Sequence, residues 1–416
     1  MPLLLAYMAL TAVGGVVPDI DIERAAARVQ DKVVEVRRDL HRHPELGNRE
    51  HRTGKLVRDR LKALGLEVRH PIARTGVIGI LRGGEPGPVV ALRADIDALP
   101  IDETRDVPYR SGTPGAMHAC GHDAHTAVLL GAAEVLTSLK DRLPGTVVFL
   151  FQPAEEGPPE GETGGAPLVL EEGALDDPKP SAIFALHVSP LLEAGRIGWC
   201  EGPILASSDH FVIEVKGRKT HGAYPHTGLD PVPVAAELVS ALQALVTREL
   251  DAQAPKVLTV GSIHGGNRFN IIADAVTLEG TLRALDPAVR RELRERMERT
   301  IRGIAAAHGT TAELRFVGPG HPPTLNDPTL ALTIVPALER ALGRGQVVRV
   351  RPEMGAEDFA DYAARIPGLY VRLGVRNEAR GITAMVHTPE FDLDESALVI
   401  GVRTLATMAW QALTVQ

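Results

Sequence analysis

Aromatic side chains are scarce in this 416-residue chain, at 4%, so its core has to be assembled mainly from aliphatic residues. Cysteine is scarcer: Cys120 and Cys200 are the only two, too few for a disulfide scaffold, although one exported pair remains open. Positive charge is in deficit, with 45 Lys and Arg against 53 Asp and Glu and a net charge of -8. No basic excess exists to neutralise phosphates, so nucleic acid is not an expected partner. The Arg-rich stretch 290–302 alternates with Glu and reads as a solvated helix face. Long hydrophobic runs are missing too. Residues 1–18 are apolar up to Asp19, but Gly14-Gly15 interrupt them and no positive segment precedes them. They fit an apolar N-terminal extension or a signal segment better than a membrane span, and no other stretch reads as one. The expectation is a cytoplasmic protein without stable membrane association, with export through this start as the alternative. His-Glu-x-x-His, Gly-x-Gly-x-x-Gly, the Walker loop and Gly-x-Ser-x-Gly are all absent, which argues against a helical single-zinc protease, a nucleotide cofactor and a serine elbow.

What is present is periodic. The length suggests two domains, and 41 Gly with 31 Pro imply many tight loops. Apolar residues recur at helical spacing over 22–40 and 49–64. Strand-like runs follow at 67–72, 76–81 and 89–93, the last leading into Asp95-Ile96-Asp97. A helix is expected over 122–139. An apolar strand over 145–151 runs into Glu155-Glu156, and another over 182–186 runs into His187. Polar residues at the carboxyl ends of buried strands are where α/β folds place their chemistry. The expected class is α/β, a mostly parallel sheet flanked by helices. From Pro203 the pattern changes to strand-helix-strand-strand-helix-strand (210–215, 231–245, 257–263, 275–282, 287–308, 312–316), the order of a split βαβ, ferredoxin-like α+β unit. Helices at 328–342, 357–365 and 393–412 and a strand at 368–374 complete the chain. The expected division is a discontinuous catalytic domain, 19–203 with 318–416, and an inserted lid or dimerisation domain, 204–317.

Three His and a Cys fall within nine residues in Met117-His118-Ala119-Cys120-Gly121-His122-Asp123-Ala124-His125. A thiolate and an imidazole two residues apart can face one side of a loop and bind one or two cations; a loop histidine beside an inert buried cysteine is the alternative. Glu155 and Glu156 follow a wholly apolar strand. One could ligate a cation while its neighbour accepts a proton from water. His187 and His387 stand alone in the sequence and gain meaning only as part of a set.

Together these segments resemble the M20 family of two-metal peptidases and amidohydrolases, in its branch of hippurate hydrolases, N-acyl-amino-acid amidohydrolases and auxin-conjugate hydrolases. The match also rests on His41-Arg42-His43-Pro44-Glu45-Leu46-Gly47, on 92–100, on Met354-Gly355-Ala356-Glu357-Asp358-Phe359 and on 387–391. The resemblance implies two divalent ions per subunit, manganese or zinc with cobalt or nickel as alternatives, held by Cys120, His122, Glu156, His187 and His387, with Cys120 bridging. It makes Glu155 the general base and Asp95 a residue that orients the metal site from behind. Arg93 stands where other branches place a ligand histidine. On the insert, His221 would polarise the scissile carbonyl, in some relatives across a dimer, while Asn270 and Arg283 would hold a substrate carboxylate. The implied activity is hydrolysis of N-acyl amino acids by a homodimer or dimer-based oligomer. A dipeptidase or carboxypeptidase, or a non-catalytic metal-binding relative, are the alternatives.

Overall fold

The computed structural model describes residues 19–415; the apolar start on which the expectation of export rests lies outside them. In chain order the first elements are α1 (Asp19–Arg42), α2 (His51–Ala63), β1 (Glu67–Ile72), β2 (Gly76–Arg82), β3 (Glu85–Asp95), α3 (His122–Ser138), β4 (Pro144–Gln152), α4 (Gly165–Glu171) and β5 (Ala182–Glu193). Then come β6 (Ile197–Trp199), β7 (Gly202–Leu205), β8 (Ser208–Lys216), α5 (Pro231–Ala244), β9 (Lys256–Gly265), β10 (Ala275–Ala284), α6 (Pro287–Ala307) and β11 (Ala312–His321). The chain ends with β12 (Thr324–Asn326), α7 (Pro328–Leu342), β13 (Val347–Arg349), α8 (Phe359–Ala363), β14 (Gly368–Arg376) and α9 (Leu398–Thr414).

Eight strands form one mixed sheet in the order β1-β2-β4-β3-β5-β14-β6-β13. Its centre, β4-β3-β5-β14, is parallel, and these strands are the near-continuous apolar runs that burial on both faces demands. The sheet is mostly parallel as expected, β6 and β13 included, with antiparallel pairings mixed in toward the flanks. β1 pairs antiparallel with β2, β2 with β4, and β14 with β6. Only three residues separate β1 from β2, with Ala73 and Arg74 at positive φ in the turn, and a parallel pairing would need a long crossover there. On one face α1, α3, α7 and α9 enclose an aliphatic core around Leu92, Val128, Phe149 and Leu405. α3 is buried on nearly every side, the position of a helix apolar all round. The segment Glu395–Thr414 meets the length and apolarity of a membrane span, contrary to the sequence reading, but most of it is buried in this core. The other face packs Phe359, Tyr362 and Tyr370 against Ile183 and Leu150.

A second, four-stranded antiparallel sheet runs β11-β8-β10-β9. α5 and α6 pack on it around Phe211, Leu238, Leu278 and Met297. Both helices start as the sequence suggests, on Asp-Pro, with Asp230 and Asp286 accepting first-turn backbone N–H groups.

Two boundaries differ for reasons that bear on the site. β5 does not stop before His187 but continues to Glu193, because β14 pairs with it as far as Arg376. α8 begins only at Phe359, because Glu357 turns its carboxylate back to accept the Phe359 N–H at 3.0 Å.

Candidate metal centre

The central strands converge on one place. β4 delivers Glu155 and Glu156 just beyond its end, through Ala154 at φ 53°. β5 carries His187, and β3 ends in Asp95 with Asp97 two residues on. The Cys120 loop enters α3 through Gly121 at φ 85°; a Cβ there would lie 2.5 Å from Val188 Cγ2, so only glycine lets this loop press against β5. His387 arrives from the C-terminal segment in a left-handed conformation, φ 64°, an uncommon choice for a histidine and one that recurs at functional sites.

The five expected ligands come together. Cys120 Sγ lies 3.3 Å from His187 Nε2 and 3.2 Å from His387 Nε2. His387 Nε2 is 3.0 Å from Glu156 Oε1, and His122 Nε2 is 4.0 Å from the same oxygen and 3.9 Å from Glu155 Oε2. Cys120 is central, grouping with His122 and His187 on one side and with Glu156 and His387 on the other. Among the described residues, His122 Nε2 is buried and has no hydrogen-bond partner, while Glu156 Oε1 faces the His387 ring at 3.0 Å. A buried polar atom left so is costly, and a cation bound beside it would satisfy it. The donor set fits a pair of divalent ions: one soft thiolate shared by two imidazole- and carboxylate-lined positions.

Neighbouring groups fix which nitrogen faces the site. His122 Nδ1 sits 3.0 Å from the Asp97 carbonyl oxygen and 3.1 Å from Asp97 Oδ1, and His187 Nδ1 sits 2.7 Å from the Val188 carbonyl oxygen. Each is placed to donate there, leaving Nε2 as the free lone pair. His125 is held differently. Its Nε2 accepts the Val188 N–H at 2.9 Å, and its Nδ1 faces Asp95 Oδ1 at 2.6 Å, so neither nitrogen is free.

Asp95 therefore grips His125 and Arg93, at 2.6 Å each, and lies 3.8 Å from His122 Nε2. The residue that braces two ligands is Asp97, since its other oxygen accepts the Glu156 N–H at 3.0 Å. Sequence reasoning named Asp97 but gave it no role; two carboxylates spaced by one residue at a strand exit are the signal. Arg93 is fully buried between Asp95, Glu357 (2.9 Å) and Asp358 (2.8 Å). It supplies fixed positive charge but no lone pair.

The electrostatics favour cations. Burial, together with Glu357, Asp358 and Glu156, pushes Glu155 well above the usual carboxylate range. Against the opposing effect of burial, Asp95 and the Cys120 sulfur drive His122 upward. Hydrogen bonds to Cys120 and Glu156 raise His387 to about 10. The surrounding carboxylates thus favour positive charge at this place, which bound ions would supply.

A cleft of about 830 Å³ opens above these residues, lined also by Arg283, His321, Glu353 and Arg372. Arg283 thus reaches the cleft, but His221 and Asn270 do not. His221 is exposed, bridged to Ile271, with Gly222 donating to the Asn270 carbonyl oxygen at 2.8 Å. Both belong to the loops beside the second sheet. Arg372 was missed altogether; a lone arginine inside a buried strand is the signal for it.

The sequence profile described as Peptidase family M20/M25/M40 matches residues 91–411. Thermostable carboxypeptidase 2 of Saccharolobus solfataricus is 38% identical over 92% of this chain and 95% of its own. N-acetylcysteine deacetylase of Bacillus subtilis is 40% identical over 91% and 96%. Among solved structures, the YXEP protein of Bacillus subtilis, described as a dinuclear metal binding peptidase from the M20 family, superposes with a TM-score of 0.81 at 38% identity, over 94% of this chain and all of the other.

Proposed function

The chain belongs to peptidase family M20/M25/M40 and is a metallo-amidohydrolase, and from that premise we propose that it hydrolyses the amide bond of N-acyl amino acids, such as N-acetyl or N-benzoyl derivatives, releasing a carboxylate and a free amino acid. The observation that carries this reading is the cluster of five donors around Cys120 with Glu155 beside it, at the floor of a cleft whose wall holds the half-buried Arg283. Cys120, His122, Glu156, His187 and His387 are the residues to hold two divalent ions, manganese or zinc, whose charge would make water more acidic and a carbonyl more electrophilic.

The protein's own groups divide the remaining work. Glu155, with raised proton affinity, takes a proton from water as its oxygen bonds to the amide carbon, then returns it to the nitrogen as the carbon–nitrogen bond breaks. Asp97 and Asp95 hold the histidines around it in register. Arg283 receives the substrate's α-carboxylate, and Asn270, which lies outside this chain's own cleft beside His221, would join it from a second copy; Arg283 has no carboxylate partner among the described residues, and its Nε donates to Thr281 Oγ1 at 3.1 Å. His221 polarises the carbonyl. Its distance from this chain's own cleft supports delivery from a second copy in a homodimer. Residues 204–317 then act as the lid and dimerisation domain, and 19–203 with 318–416 as the catalytic domain.

The test is elemental analysis of purified protein joined to a panel of N-acetyl, N-benzoyl and indole-acyl amino acids against matched dipeptides. About two equivalents of metal and faster turnover of the N-acyl series are expected. Preference for the dipeptides would favour a peptidase instead, the activity named in the carboxypeptidase relative. A metal-loaded protein inert to both series would be a non-catalytic relative.

A further inference from the structure

β14 carries a charge for which the reaction above has no use. Arg372 stands opposite His187 in the β14–β5 pairing, and its side chain is only 8% exposed. A guanidinium in an interior strand is normally matched by well-placed carboxylates. Among the described residues Arg372 has only Glu353, 3.4 Å from one terminal nitrogen and itself 40% exposed. Its Nε is buried and meets no acceptor among those residues. The guanidinium carbon lies 5.5 Å from the Tyr370 ring centroid, in the wall of the cleft that also holds Cys120, Glu155 and His187.

The same cleft therefore presents two under-compensated guanidinium groups, Arg283 and Arg372. A simple N-acyl amino acid brings one carboxylate. Closing the cleft over such a substrate would leave one arginine desolvated and short of acceptors, which is costly. A second carboxylate could instead take Nε and a terminal nitrogen of Arg372 side by side, the fork geometry that arginine offers.

Building on the N-acyl amino acid reading, we propose that Arg372 is a specificity residue and that the preferred substrates are dianionic N-acyl amino acids, with one carboxylate on Arg283 and the other on Arg372. The second carboxylate has two sources, the end of a dicarboxylic acyl group or the side chain of an acidic amino acid.

Two matched pairs separate the sources: N-succinyl-methionine against N-acetyl-methionine, and N-acetyl-glutamate against N-acetyl-glutamine. The metal-loaded enzyme is expected to favour the dianionic member of one pair by about 10-fold or more in kcat/KM. In Arg372→Met that ratio should collapse toward one, while Glu353→Gln, which removes the competing carboxylate, should lower KM for the favoured substrate. Calorimetry on metal-loaded Glu155→Ala, with and without Arg372→Met, should show the same loss of dianion affinity without turnover. No preference in either pair, or a ratio unchanged in Arg372→Met while both rates fall, overturns the proposal and leaves the N-acyl reading standing. Failure of the wild type to hydrolyse any of the four substrates would instead remove the N-acyl reading itself.

Discussion

Glu155 and Asp97 lie on either side of the His122 ring yet should fail in different ways when removed. Glu155 is not needed to close the cluster around Cys120, so Glu155→Ala should retain metal by elemental analysis and lose most activity. Substantial turnover in that variant would end its assignment as the base. Asp97 holds His122 Nδ1 and the Glu156 backbone N–H together. Asp97→Ala should therefore weaken metal binding, by about 10- to 100-fold as for other residues that orient metal ligands. A competition titration against a chelator reads this directly, and an unchanged affinity would return the orienting role to Asp95.

At the scale of elements, Glu50 ties the start of α2 to the loop that carries Glu155 and Glu156. Its carboxylate accepts the Thr75 hydroxyl at 2.6 Å and the Ala154 N–H at 2.8 Å. Burial, with Asp97 nearby, nevertheless raises it to about 7 from 4.5. The folded protein thus binds this proton more tightly than the unfolded chain, so stability from this residue is full below pH 4.5 and falls as pH rises through 7. A shift of this size corresponds to about 3 kcal/mol. Glu50→Gln keeps an acceptor for Ala154 and removes the titration, so its melting temperature should exceed the wild type's at pH 8 and the gap should close near pH 5. Equal melting temperatures at both pH values would show that Glu50 ionises without penalty.

The elements were largely legible because their signals are local. β1 and α7 have the bounds that periodicity suggests, and the Asp-Pro starts of α5 and α6 are chemical punctuation. The ends of β5 and α8 were not legible, since one depends on pairing with β14 and the other on where Glu357 points. The same division runs through the site. The Cys120 loop and the two glutamates announce themselves within a few residues, whereas Asp97 gains its role, and Arg372 its place in the cleft, only when distant strands meet.

For the whole molecule, the position of His221 makes the sharpest demand. If it acts across a dimer, His221→Ala and Glu155→Ala are each defective, but a mixed dimer contains one site with both groups intact. Mixing and re-equilibrating the two inactive variants should restore up to about a quarter of wild-type activity by random pairing of subunits, since dimers are symmetric two-site assemblies. No recovery, with dimer exchange verified by mass, would rule out action of His221 across the dimer.

The site also imposes an order in time. Its donors are spread from Cys120 to His387, and the sheet strand between β5 and β6, which is β14, is made after the entire four-stranded insert. A ribosome reading this message releases Cys120, His122, Glu156 and His187 long before their last companion. Until β14 is threaded into place and His387 follows it, the early donors form an incomplete set. On the proposed ligand set, metal capture would be a late event in the life of each chain, and a nascent chain stalled before His387 would carry a half-built site.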